Sequence, residues 1–140
     1  MEIIQSIIGF FIAIGILVTF HEYGHFITAR LFNVTVLNFS IGFGKSIYKY
    51  QPRSSNTEYS IGLIPLGGYV KMAGMIDENM DHQINYEKDE FMSQPLWGKV
   101  WILSAGVIMN TILAFIIFAS LGYYQGTADI VDEPIVRETI

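Results

Sequence analysis

Eighteen consecutive uncharged residues, Ile3–Phe20, run without a break into His21-Glu22-Tyr23-Gly24-His25. A helix over the apolar run would be about 27 Å long, close to the roughly 30 Å hydrocarbon core of a bilayer. The same helix must then carry three ionisable side chains within five positions. At membrane depth that is costly unless something compensates. The helix is predicted to continue to Arg30 or Leu31, so the histidines fall towards its far end. His21 and His25 would lie about 40° apart around the axis, one turn above the other. This is the H-E-x-x-H arrangement, in which two imidazoles hold zinc and the glutamate acts on the water at the metal. A bound metal supplies the compensation that a plain core histidine does not.

Rival readings of this segment fit its residues less well. A cleaved signal peptide would begin with basic residues, but Glu2 stands there; the run is too long for an h-region, and no small-x-small site follows. A bis-histidine haem needs ligands from opposite faces, whereas this pair shares one face of one helix. The chain contains no cysteine, which excludes disulfides, iron–sulfur clusters and thiolate zinc sites. A net charge of −5 gives no footing for nucleic acid.

Beyond the first helix the texture changes. Ser40–Tyr50 and Thr57–Pro65 alternate, are rich in aromatic and β-branched residues, and flank Pro52-Arg-Ser-Ser-Asn56. That predicts a hairpin with a polar turn. Leu66–Met72 reads as a third short strand entered through the Gly67-Gly68 pair. Ile61–Leu66 is apolar and interrupted by Gly62 and Pro65, a loop suited to lying against protein at membrane depth. Residues 77–94 are acid-rich and read as a solvated loop. His82 falls there, with nothing in its spacing to mark a ligand.

A second apolar segment opens at Pro95. Trp97, Lys99 and Trp101 are residue types found where a helix enters the headgroup region, and Val100–Ala128 carries no charge. A spanning helix is predicted over Leu96–Tyr124. Ser104, Ala105 and Gly106 would permit close helix packing, and Asn110 needs a polar partner, either another helix or a substrate. Asp129–Ile140 resembles the first strand of a further unit. Seven of the eight Lys and Arg lie between the two apolar segments, with only Arg137 outside. The positive-inside rule then makes the loop cytoplasmic and both ends external.

A catalytic zinc takes three protein ligands and one open position. His21 and His25 supply two. Leu31 occupies the place where soluble enzymes of the extended motif carry a third histidine. Glu58, the acidic residues 77–90 and those from Asp129 onward are the remaining carboxylates of the loop and tail, and spacing places none of them. The third ligand is therefore expected outside this chain.

The segments His21–Arg30 (HEYGHFITAR), Phe39–Tyr48 (FSIGFGKSIY), Glu58–Met72 (EYSIGLIPLGGYVKM) and Ser104–Asn110 (SAGVIMN) resemble the N-terminal part of the site-two-protease class of intramembrane zinc metalloproteases, most closely the bacterial regulator of sigma-E protease group. The resemblance covers most of residues 1–124. It implies that His21 and His25 bind zinc and that Glu22 is the general base. It also implies that residues 39–74 form a membrane-associated hairpin that holds an unwound substrate helix as a strand, with Gly62, Pro65, Gly67, Gly68 and Asn110 on the substrate side. The implied partners are the lipid bilayer and single-span membrane proteins, often anti-sigma factors, cut after a first external cleavage. Two departures stand out. Val107 replaces the proline of the family's AGPxxN motif, and the LDG motif that supplies the third, aspartate ligand does not occur. The family's PDZ domains are also lacking, so residues 125–140 are expected to begin one within a longer, bacterial inner-membrane protein.

The expected architecture is an α-helical integral membrane protein. A first transmembrane helix (1–31) and a second (96–124) are joined by a cytoplasmic loop (32–95) containing a small sheet. The expected function is zinc-dependent intramembrane endopeptidase. The competing readings are a membrane-embedded binding or regulatory module without catalysis, favoured by the missing ligand, and a soluble zinc protease with a buried motif helix.

Overall fold

The computed structural model describes residues 1–75 and 87–126. The elements run α1 (Glu2–Leu31), β1 (Val36–Tyr50), β2 (Glu58–Met72), a single 3₁₀ turn (Phe91–Ser93) and α2 (Leu96–Gln125). His82, most of the acidic segment and the tail from residue 127 lie outside the described residues.

Both helices are 30 residues long, about 45 Å. Their surfaces are apolar on nearly every side: Ile3, Phe10, Ile12, Val107, Phe115 and Phe118 are all exposed. Val107 leaves α2 unbroken, because a residue with a free N–H continues the helical ladder where proline would interrupt it.

The two helices touch at small residues. A Cβ placed on Gly24 would stand 2.5 Å from the carbonyl oxygen of Ala105 and 3.0 Å from the Cβ of Met109. Ala105 and Gly106 are buried at this crossing. Small side chains let the backbones approach, which brings α2 onto the histidine-bearing face of α1. Ser104 instead donates to the Val100 carbonyl of its own helix, at 2.6 Å.

The expected third strand is continuous with the second, forming the far half of β2. The pairing explains why. Asn38 lies opposite both Lys71 and Glu58, Phe39 opposite Val70 and Tyr59, Ser40 opposite Tyr69 and Ser60, and Ile41 opposite Gly68 and Ile61. The start of β1 thus has β2 on both sides, antiparallel to residues 68–72 and in step with residues 58–61. The end of β1 returns along β2 through Tyr48↔Ile61 and Tyr50↔Tyr59. Two long strands, each bent once, therefore give four segments side by side in the order 46–50, 58–62, 36–41, 68–72. The bends fall at Gly42–Gly44 and between Gly62 and Gly67. Gly42 has φ +89°, and a Cβ on Gly62 would stand 2.6 Å from the Gly42 carbonyl carbon, so the two bends press together. Glu58 ties three segments by accepting from Asn38 Nδ2 (3.0 Å) and from Lys49 Nζ (2.9 Å).

The apolar core lies where the ends of these elements meet. Ala29, Val34, Val36, Met72, Phe91 and Ile102 are buried together. Phe91 belongs to this core, with Met92 packed against it and Glu90 buried beside it, which corrects the expectation of a solvated loop for residues 90–92; Asp89 and Ser93 remain exposed. Thr35 N donates to Asp89 O (2.9 Å) and Phe91 N to Ala73 O (2.8 Å), and Glu90 is buried against Gly74. The hairpin's base needs those backbone partners, so the segment is drawn in.

Candidate metal centre

Helical spacing puts His21 and His25 on one face of α1, and the crossing with α2 covers that face. Their ring centroids are 4.9 Å apart at 75°, and their Nε2 atoms converge to 3.2 Å. Zinc–imidazole bonds of about 2.0–2.1 Å closing on two nitrogens 3.2 Å apart subtend an angle of about 100–105°, close to tetrahedral.

Gly106 supplies the space. A Cβ on it would fall 2.5 Å from His21 Nε2 and 2.6 Å from His25 Nε2, so a glycine is what keeps the point between the two nitrogens open. The donor set and this gap fit a zinc ion.

The opposite edge of each ring is held by α2. His25 Nδ1 lies 2.7 Å from the carbonyl oxygen of Ile102, to which it donates, leaving Nε2 with its lone pair. His21 Nδ1 lies 3.4 Å from Asn110 Nδ2. Asn110 Oδ1 is buried and has no hydrogen-bond partner among the described residues.

Glu22 stands between two cavities. One, of about 270 Å³, is lined by Leu17, Val18, His21, Glu22 and Asn110. The other, about 120 Å³, is lined by Glu22, His25, Val70, Met72, Met75 and Leu103. The glutamate is therefore within the immediate surroundings of both histidines. Among the described residues no third His, Cys, Asp or Glu joins the group.

The residues expected on the substrate side separate. Gly68 comes to the centre: a Cβ there would stand 2.9 Å from Glu22 Cγ and 2.7 Å from Ser40 O. It sits on the 68–72 segment, whose one described strand partner is 36–41, so this is an edge of the sheet. Asn110 also comes to the centre, against His21. Gly67 faces the ring of Phe43 instead, and Gly62 faces the Gly42–Phe43 backbone. Pro65 is exposed in the second bend. Sequence reasoning missed the Ile102 carbonyl, which as a main-chain group leaves no mark in residue identity. It read Gly106 as a packing residue, and the glycine also keeps the gap between the two Nε2 atoms open.

Comparison with known proteins gives one consistent result. The family model described as peptidase family M50 matches residues 9–138. A candidate zinc metalloprotease of Vibrio cholerae is 50% identical over 114 residues, covering 81% of this chain and 24% of that protein. A second, from Rickettsia conorii, is 43% identical over 137 residues, covering 96% of this chain and 37% of the relative. Protease RseP of Yersinia pestis is 42% identical over 118 residues, 84% of this chain and 26% of that protein. The chain thus spans between about a quarter and somewhat over a third of the length of these relatives.

Proposed function

The chain belongs to peptidase family M50, and on that premise we propose that it carries two zinc ligands and the general base of an intramembrane endopeptidase. His21 and His25 would hold the ion and Glu22 would act as base. The observation that carries this reading is the convergence of the two Nε2 atoms over Gly106 with Glu22 alongside. Zinc, when bound, would polarise the scissile carbonyl and lower the pKa of its water towards about 7.

The chain's own groups account for the proton movements. The Glu22 carboxylate takes a proton from the attacking water and returns it to the departing amine, so it ends the cycle as it began. The Ile102 carbonyl holds His25 in the required tautomer. Gly68, with no side chain, lets an extended peptide at the 68–72 edge run close to Glu22. Strand addition at that edge would expose a peptide bond that a substrate helix protects.

Two helices are long and apolar enough to cross a membrane, and their apolar exposure fits lipid contact. The basic residues of the connecting loop favour a cytoplasmic loop with external ends, in a bacterial inner membrane. The proposed substrates are the membrane segments of single-span proteins, anti-sigma factors among them. The proposed divisions are 1–31, 32–95, 96–124 and 125–140, the last as the start of an external unit. The third zinc ligand is proposed to come from outside the described residues.

The test is Glu22→Gln in the membrane-reconstituted protein, assayed for zinc and for cleavage of a single-span reporter. Zinc is expected to stay while cleavage is lost. A variant that still cuts removes Glu22 from the role of base. A second reading, a non-catalytic membrane module, is favoured by the lack of a third ligand among the described residues. Stoichiometric zinc together with reporter cleavage by the unmodified protein would eliminate it.

A further inference from the structure

Among the described residues each histidine nitrogen at the centre has one polar partner, and together they form a chain across the two helices. Asn110 Nδ2 faces His21 Nδ1 (3.4 Å), His21 Nε2 faces His25 Nε2 (3.2 Å), and His25 Nδ1 faces the Ile102 carbonyl (2.7 Å). With both rings neutral, this order has one consistent set of protons. Asn110 donates to His21 Nδ1, His21 Nε2–H donates to His25 Nε2, and His25 Nδ1–H donates to Ile102. That set places a proton between the two Nε2 atoms, in the gap over Gly106. It also leaves Asn110 Oδ1 buried without a partner among the described residues.

An ion between the Nε2 atoms requires the other His21 tautomer, with the proton on Nδ1. An N–H there cannot face the Asn110 NH₂ group, since both are donors. The two ends of an amide have the same shape, so hydrogen bonding alone sets which end faces the ring. Rotated by half a turn, Asn110 offers Oδ1 to His21 Nδ1–H, and the orphaned oxygen acquires its partner.

We propose that Asn110 is a positioning residue for His21: its amide oxygen, turned to His21 Nδ1–H, holds the tautomer whose Nε2 lone pair would receive zinc. The proposal rests on the reading of the histidine pair as a zinc site, and it assigns Asn110 to the metal rather than to substrate or to helix packing alone. It also accounts for an amide in an apolar helix, facing the back of a ligand ring and lining the same cavity as Glu22.

The experiment compares Asn110→Leu, Asn110→Asp, His21→Ala and the unmodified full chain in detergent micelles, reading zinc affinity by chelator competition. Removing an outer partner of a zinc ligand typically weakens affinity about 10–100-fold, and that is the expected loss for Asn110→Leu. Asn110→Asp, which can only accept, is expected to bind zinc at least as tightly as the unmodified chain. A pure packing role predicts the reverse ranking, because a buried carboxylate disturbs an apolar helix pair more than leucine does. Zinc affinity unchanged in Asn110→Leu, or weaker in Asn110→Asp than in Asn110→Leu, overturns the proposal. Undiminished zinc in His21→Ala would instead overturn the zinc site itself. ¹⁵N spectra of the His21 ring in the metal-free protein give a readout independent of zinc. Nδ1 is expected to be more fully protonated in Asn110→Asp, which offers an acceptor there, than in Asn110→Leu, which offers none, and the same Nδ1 state in both would also overturn the proposal.

Discussion

His25 Nδ1 donates to the carbonyl oxygen of Ile102 across a 2.7 Å gap, so the second helix orients an imidazole carried by the first. Because the acceptor is main chain, its position depends on how closely the helices cross rather than on the side chain at 102. Gly24 sets that distance, with its missing Cβ 2.5 Å from Ala105 O. Gly24→Ala is expected to force the helices apart, costing about 1–3 kcal/mol of stability. Zinc affinity should fall about tenfold through the lost orientation of His25. Chelator competition and thermal unfolding on the same samples check this; unchanged zinc affinity in a destabilised variant would break the link.

Gly106→Ala keeps every proposed ligand and fills the space between them. The added methyl would stand 2.5–2.6 Å from both Nε2 atoms. Zinc content is expected to fall at least as far as in His21→Ala, while both helices persist by circular dichroism. Full zinc occupancy in Gly106→Ala would place the ion somewhere other than this gap.

Gly68→Ala tests the sheet edge. Its methyl would press on Glu22 Cγ at 2.9 Å and Ser40 O at 2.7 Å, moving the glutamate or the strand. Misplacement of a reacting group by about 1 Å can cost about 100-fold, and a fall of that order in reporter cleavage is expected with zinc retained. Metal analysis beside the cleavage assay separates this from loss of the ion.

Gly67 and Phe43 should be coupled. A Cβ on Gly67 would overlap the Phe43 ring, so Gly67→Ala alone is expected to destabilise the folded hairpin by about 1–3 kcal/mol. In Gly67→Ala/Phe43→Ala the clash is gone, and the double-mutant cycle should return a coupling of about 0.5–3 kcal/mol. Additive effects would contradict the contact.

The hairpin also has a defined response to alkali. Lys49 donates to Glu58 at 2.9 Å, and this hydrogen bond and charge hold its ammonium above the usual lysine range. A group whose pKa is raised on folding contributes stability that is complete below its unfolded pKa and fades as pH rises through the folded value. The Lys49–Glu58 contribution should therefore be flat through neutral pH and disappear only above the ordinary lysine range. Comparing unfolding of the unmodified chain and Lys49→Met along a pH series checks this, and a difference that shrinks on acidification from neutral towards pH 6 would contradict it.

The two helices were legible because an unbroken apolar run admits few alternatives, and α1 ends at Leu31, where the sequence placed it. His21, Glu22 and His25 were legible because helical spacing by itself puts two imidazoles on one face. Small residues at 105 and 106 marked the crossing. The sheet was legible only in part: alternation revealed strands, but nothing local says that residues 38–41 acquire neighbours on both sides. Residues 90–92 were misread because the acidity around them resembles a solvated loop, whereas the backbone of Asp89 and Phe91 completes the hairpin's base.

The sequence by itself determined the helices, the metal-binding type of the motif and the family resemblance, since each rests on local periodicity and residue identity. Only the tertiary structure decided that α2 reaches His25 through the Ile102 carbonyl, that Gly106 keeps the gap between the Nε2 atoms open, and that Gly68 and Asn110 flank the pair while Pro65 does not. Those are distances between segments far apart in the chain. They depend on how closely two helices and a folded sheet approach, which no local pattern encodes.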